Sequence, residues 1–486
     1  MAEAAHIKEL VDALRRDCKH FGPELARVSA DRGLAFTNPD GTTRALPISA
    51  TPVVMAKAEL DRRVGLAATL AAASEKMARA VLGGPAKEML LGGLSPLERK
   101  TAELTFRGTG TLVTTRVDFF VGKTVNALEV NATIPAMQGY SDIASETFLQ
   151  VVGRFWKIPP LKIVGLLARN GSNTLALYRA LLDGYQTVRP GQEPNRIALL
   201  CRRNDAQLTE QLWLRDRFRE FGTDADVVHP DQLSGDDAVR ANGKDYPLVY
   251  RHLFVRRLEE AGMQGAEYVT KLLQEKNGTR AVVLNPPASQ IEEKIVFALL
   301  SQSLDDAALR KSAGLTDGEL EAIAASVPWT RPFFDAALEQ KVAADPDRYV
   351  LKRNWDYGGR TVFVGRTRSE ASFQERVKAA YGTELSWEAL CTRALADRKG
   401  GGFVVQELVE TTPEAHVICE ANKQTAVDLY VDFSTYASVG LQKQPPWTGV
   451  CRGSVSHIVN LHGGGGLLPL LTEEVAKSLR DAVVGH

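Results

Sequence analysis

Between Thr115 and Pro135 the chain reads TRVDFFVGKTVNALEVNATIP, two short β-rich runs joined by a polar, glycine-containing turn. With that turn centred between Lys123 and Thr124, antiparallel pairing sets Asp118 opposite Glu129 and Arg116 opposite Asn131. Side chains two apart on a strand share a face, so all four groups emerge on one side of the hairpin. Two carboxylates held across from each other at about 4–5 Å repel by about 3–4 kcal/mol at an effective dielectric of about 20. The fold must therefore bring a positive group between them, either Arg116 or a bound cation.

At 486 residues the chain is too long for one ordinary core and is expected to divide into several lobes. Its 44% hydrophobic and 24% charged residues are those of a soluble globular protein. Basic and acidic residues balance at 59 each, which argues against nucleic acid or an acidic membrane surface as a partner. The five cysteines, Cys18, Cys201, Cys391, Cys419 and Cys451, are scattered and lack any Cys-x-x-Cys spacing. They fit a reducing cytoplasm and argue against a disulfide framework or structural zinc. The opening MAEAAHIKELVDALRRDCKH is an amphipathic helix containing acids, without the apolar stretch of a secretory signal. No run approaches the roughly 18 consecutive apolar residues of a membrane span. A cytoplasmic location is expected.

Four regions follow from the patterning. Residues 1–97 read as a helical amino-terminal region, with AKAELDRRVGLAATLAAASEKMARAVLGG keeping helical spacing until Gly83 and Gly84. Residues 98–190 switch to strands that include the hairpin, then to helices from Ser141 and near 172–184. Residues 191–290 alternate strand, helix and strand, beginning at NRIALLCRRND, as in a parallel sheet of Rossmann-like build. The turn CRRNDAQ lacks the glycines that let a pyrophosphate approach the backbone, so NAD is disfavoured there. Residues 291–486 mix helices and strands.

Several residue sets can carry chemistry. Asp118, Glu129 and Asn131 form an all-oxygen set of the kind magnesium takes, completing its shell with water and phosphates; the bland alternative is a surface hairpin with acids in solvent. Lys352 ends the strand YVLK, and NWDYGGR follows it. A lysine beside a glycine loop can hold phosphates through its ammonium and through closely approached N–H groups, although an ordinary hairpin with Gly358 and Gly359 in the turn has the same pattern. VVQELVE offers Gln406, Glu407 and nearby backbone as the edge that meets a nucleobase. In GVCRGSVSHIVNLHGGGGLLPLL, Gly463 to Gly466 exceed what a turn requires and suggest a mobile or closely approached backbone. Arg452 there suits a phosphate, a substrate carboxylate or a structural ion pair. His457 and His462 lack metal-ligand spacing and read as satisfied polar residues. There is no Gly-x-Ser-x-Gly elbow and no Walker loop, and nothing marks Cys451 as an activated thiolate.

In combination and in order, these segments resemble the ATP-grasp ligases, specifically the circularly permuted branch related to glutathionylspermidine synthetase. In ordinary ATP-grasp chains the lysine strands and glycine loop precede the metal-binding acids. Here residues 116–131 come first, a Rossmann-like unit follows, and the lysine, glycine-loop and VVQELVE segments come last, over roughly residues 98 to 475.

The resemblance implies an α/β (α+β) chain with a circularly permuted ATP-grasp fold, a Rossmann-like unit and a helical amino-terminal region. It makes 98–190 the first ATP-grasp segment and 291–486 the second. RVD…LEVN would be the magnesium site, with Asp118, Glu129 and Asn131 as ligands and Arg116 facing the transferred phosphate. NPPASQIEEK would supply the first nucleotide lysine, Lys294, and YVLKRNWDYGG the second, Lys352, with the phosphate loop at Gly358 and Gly359. Gln406 and Glu407 would form the adenine hinge, and Arg452 and Asn460 would lie near the phosphates. The implied reaction is ATP-dependent and ADP-forming. Two magnesium ions assist an acyl phosphate to form on a small-molecule or peptide carboxylate, and an amine then captures it as an amide. No module matches the amidase of the glutathionylspermidine enzyme. The alternatives are an idle nucleotide-binding scaffold acting in regulation, or a kinase for a carboxylate or hydroxyl.

Overall fold

The structure is a computed structural model that describes residues 2–106, 111–122, 124–234, 239–260, 262, 281–356, 358–421, 423–459 and 465–484. Lys123, Asn460, His462, Gly463 and Gly464 lie outside the described residues.

The apolar runs of the third region form a four-stranded parallel sheet. Its spatial order is Val282–Leu284, Leu248–His252, Arg196–Cys201 and Asp224–Val228. Ile197, Leu199 and Leu248 are buried in the core. Helices cover such a sheet on both faces, so its strands read as continuous apolar runs rather than alternating ones. The connecting helix Leu208–Glu220 sends Glu210 out of this unit. The Glu210 carboxylate accepts from the backbone N–H groups of Met137 (3.1 Å) and Gly139 (2.9 Å), at the start of helix Gln138–Phe155. Met137 takes a positive φ of 85°, an uncommon conformation for a side-chain-bearing residue. Glu210 is fully buried, so Glu210→Ala leaves two buried donors without an acceptor. A stability loss of about 2–4 kcal/mol is expected in chemical denaturation.

A seven-stranded sheet carries the hairpin. Its order is Glu414–Glu420, Ile48–Ser49, Gly466–Leu468, Gly449–Ser454, Lys423–Val439, Leu112–Val121 and Val125–Asn131. The 17-residue strand Lys423–Val439 also pairs with Glu414–Glu420, so part of the sheet closes on itself. The first 97 residues thus contain more than helices: helix Ala2–Asp31 and helix Lys57–Leu82 flank four short strands, of which Ile48–Ser49 enters this sheet. Those strands are two or three residues long, too short for a two-residue alternation to register.

The hairpin pairs Arg116 with Asn131 and Asp118 with Glu129, as the sequence predicts. Nearer the turn the frame changes by one residue, with Phe119 opposite Ala127 and Val121 opposite Val125. A β-bulge at Leu128 restores the register before the acids, and such bulges re-aim side chains near functional sites. Val117, Phe119, Ala127 and Val130 point to the back of the sheet and pack with Leu70, Ala73 and Met77 of helix Lys57–Leu82. The polar set takes the front.

A second, antiparallel sheet faces that front. Its order is Thr330–Pro332, Phe403–Glu407, Tyr349–Arg353 and Val362–Val364. Tyr349, Leu351, Phe363, Phe403 and Val405 fix it over helices Ala371–Tyr381 and Trp387–Ala396. The alternate residues Val350, Lys352 and Gln406 are left to the other side.

Candidate active site

The two sheets border a common cleft. It is bordered by Arg116, Asp118, Glu129 and Asn131 from the hairpin, and by Lys294, Lys352, Gly358, Gly359, Gln406, Glu407 and Arg452 from later in the chain. Of the residues singled out in the sequence, Asn460 cannot be placed, since it lies outside the described residues.

The front of the seven-stranded sheet is an ion-pair ladder. Arg116 donates to both oxygens of Asp118, Nε to Oδ1 at 2.7 Å and Nη2 to Oδ2 at 3.0 Å, and Arg452 Nη2 reaches the same Oδ2 at 2.9 Å. Arg116 Nη1 and the Tyr436 hydroxyl both donate to the Ala136 carbonyl, at 3.2 and 3.0 Å. The turn that Glu210 caps therefore also seats Arg116. Burial alone would raise the Asp118 carboxyl, but Arg116 and then Arg452 hold it well below the usual carboxylate range. The two acids are thus neutralised separately: Asp118 by Arg116 and a second guanidinium, Glu129 by Lys294.

Asp432 is a residue the sequence reading missed. It stands opposite Arg452 in the register and is bound to it; burial pushes its carboxyl up, against the pull of the Arg452 guanidinium. An acid inside the β-rich run DLYVDFSTYA was the available signal, because a strand interior tolerates a carboxylate only beside a cation or a ligand.

The lysine side is held differently. Lys294 opens helix Lys294–Ser303, and its backbone N–H donates to the Asn354 carbonyl at 3.2 Å. Its ammonium donates to the Asp356 carbonyl at 2.9 Å and lies 3.4 Å from Glu129 Oε2. Lys352 donates to Gln406 Oε1 at 2.6 Å. Burial first, and Lys294 as well, push the Lys352 ammonium down to about 8, against the pull of Glu129 and Asp118. Two ammoniums within electrostatic reach of each other favour an anion between them. Gly358 and Gly359 take φ of 72° and 69°, a backbone open to glycine at little cost. A methyl group at Gly358 would touch nothing among the described residues, so conformation rather than space requires that glycine. The described half of the tetraglycine run behaves oppositely: a Cβ at Gly465 would lie 1.7 Å from the Gly453 carbonyl oxygen. There the glycine permits close packing.

The expected hinge needs revision in detail. The Gln406 amide accepts from Lys352 and donates to Thr330 Oγ1 at 3.0 Å, so this side chain orients the lysine. Glu407 points outward to Arg348, 2.6 Å away, and the N–H groups of Glu407 and Leu408 are taken by the Trp329 and Arg348 carbonyls. His457 borders the cleft with its ring on Tyr430, centroids 4.2 Å apart.

The donor set suits a hard cation that draws part of its shell from a ligand. Among the described residues no group of three His, Cys, Asp or Glu side chains could hold a metal unaided. Glu129 has Lys294 as its ion-pair partner, and Asn131 uses its amide N–H on the Arg116 carbonyl at 3.4 Å, leaving its oxygen toward the cleft without a partner among the described residues. Magnesium is commonly held by one or two carboxylates together with substrate phosphates. Glu129 and Asn131 are available for that; Asp118 would join only while shared with two arginines.

No protein-family model and no curated protein matches the chain. Among solved structures it is similar to a glutathione synthetase-like effector (GSS30) from Globodera pallida, at 12% identity and a TM-score of 0.61. That match covers 94% of this chain and 97% of the effector, so the two share a fold from end to end. A chain from Methylobacillus flagellatus KT, provisionally described as a gamma-glutamylcysteine synthetase, overlaps more loosely. It has 10% identity and a TM-score of 0.39, over 82% of this chain and 88% of that one. Among the described residues no helix is long and apolar enough to cross a membrane.

Proposed function

We propose that the chain is an ADP-forming, ATP-dependent carboxylate–amine ligase built as a circularly permuted ATP-grasp fold. One observation carries this reading: an oxygen-donor hairpin near residue 120 and two lysines beyond residue 290 border the same cleft, with a glycine loop beside them. The end-to-end likeness to a protein named for glutathione synthetase points the same way.

Glu129 and Asn131, with Asp118 behind them, would hold magnesium, and Lys294 and Lys352 would neutralise the phosphates. When bound, magnesium–ATP supplies the phosphoryl group that makes an acyl phosphate of a carboxylate substrate; ADP leaves, and an amine then displaces phosphate to give an amide. Arg116 and Arg452 are held in place by Asp118, Asp432 and the Ala136 carbonyl, so they need little reorganisation to stabilise charge on the transferred group. Gly358 and Gly359 let backbone N–H groups approach the phosphates and exclude water from the acyl phosphate. No side-chain nucleophile is needed. The test is a product screen with ATP, magnesium and mixed acids and amines. Condensation with loss of water, accompanied by ADP, supports the reading; AMP as the product, or ATP consumption with a stable phosphorylated product and no amide, overturns it.

Lys352 gives this reading a pH signature. Burial pushes its ammonium down to about 8. A bound triphosphate favours the ammonium and raises that value, so affinity is complete below about pH 8 and falls as pH rises through it, by up to about tenfold per pH unit. Calorimetric titration of a non-hydrolysable ATP analogue at pH 7 and pH 9.5 should register that fall. Lys352→Arg should flatten it.

A further inference from the structure

Strand Lys423–Val439 presents Asp432 to the cleft because its neighbour Phe433 belongs to the other face, packed with Leu60, Cys451 and Leu468. In the sheet Asp432 lies between Phe120 on one side and Arg452 on the other. It is 2% exposed. Its Oδ1 accepts from the Arg452 backbone N–H at 3.2 Å and from Arg452 Nε at 3.1 Å, and its Oδ2 accepts from Nη2. The same Nη2 reaches Asp118 Oδ2 at 2.9 Å and lies 3.5 Å from Ser434 Oγ. One whole edge of the guanidinium, Nε and Nη2, is therefore gripped by two carboxylates. Nη1 has no hydrogen-bond partner among the described residues, and Arg452 borders the cleft. A guanidinium is a planar fork, so fixing one edge also fixes where the remaining donors point.

We infer that Asp432 is a positioning residue: by locking the Nε/Nη2 edge of Arg452 it presents Nη1 to the terminal phosphoryl group of the bound nucleotide. The inference rests on the proposed ATP-dependent function. It explains why a carboxylate is buried beside a cleft that is otherwise expected to receive phosphates. Asp432 does not need to touch the nucleotide; its charge is spent on the arginine. Asp118 alone would hold just one of the Arg452 nitrogens, leaving the fork free to swing.

The experiment compares the affinities of magnesium–ADP and of magnesium with the β,γ-imido analogue of ATP, by calorimetry on the full chain. A charge-assisted contact to the terminal phosphoryl should make the wild type prefer the triphosphate by about tenfold or more. D432N should lose most of that preference while keeping its ADP affinity within about twofold. R452Q should do the same, and the charge-balanced double variant R452Q/D432N should match R452Q, because two groups acting as one unit are not additive. If D432N does not fold, the R452Q and R452Q/D432N comparison decides by itself. The inference is overturned by D432N keeping the wild-type preference, by ADP and triphosphate affinity falling together, or by a double variant weaker than R452Q. A wild-type chain that binds neither nucleotide is a separate result: it removes the proposed function, and the role of Asp432 with it.

Discussion

Asp118→Asn is expected to abolish turnover and, at the same time, to lower the melting temperature by several degrees. The carboxylate is buried between Arg116 and Arg452, and each guanidinium makes a short contact with it. Asparagine keeps the shape and removes the charge. Arg452 retains Asp432, but Arg116 loses its paired carboxylate and keeps only neutral acceptors such as the Ala136 carbonyl. Breaking a buried ion pair by removing one partner costs about 3–5 kcal/mol, because the other charge stays behind uncompensated. A thermal melt beside an activity assay checks both halves. An asparagine variant that melts like the wild type would mean that the ladder is more hydrated than its burial implies.

Glu129→Gln should separate what Asp118→Asn confounds. Its side chain is about a third exposed, at 32%, and its ion-pair partner Lys294 sits 3.4 Å away and is also held by the Asp356 carbonyl. Exposed or half-exposed pairs contribute about 1 kcal/mol or less to stability, so the melting temperature should move little. Activity should fall about 100-fold or more, since the proposed mechanism makes Glu129 a charged oxygen ligand of the magnesium that faces the phosphoryl group. The contrast between the two variants is the result to look for: both inactive, one of them destabilised.

Much of this site was legible in the sequence because it rests on local rules. Alternation along two short strands was enough to put Arg116, Asp118, Glu129 and Asn131 on one face. The register came out right around the acids even though the turn frame is offset by one, since the Leu128 bulge compensates for it. Apolar runs marked the parallel sheet, and helical spacing marked Lys57–Leu82, which ends where the glycines begin. What stayed hidden depends on contacts far apart in the chain. Asp432 meets Arg452 across 20 residues and Asp118 only through that arginine, a relation set by strand order rather than by composition. The bond from Lys352 to the Gln406 amide oxygen joins residues 54 apart and could not be read from either segment alone. Ile48–Ser49 joins the sheet through partners near residues 418 and 467, and two residues carry no periodicity.

The most direct test of the whole account is calorimetric titration of the β,γ-imido ATP analogue into the wild type, Glu129→Gln and Lys352→Met, each with magnesium and with EDTA. One site per chain is predicted, strong only when magnesium is present. Glu129→Gln should remove the magnesium dependence, and Lys352→Met should weaken binding about tenfold or more in either buffer. Binding that is indifferent to magnesium and to both substitutions would mean that the early acids and the late lysines do not hold a common ligand.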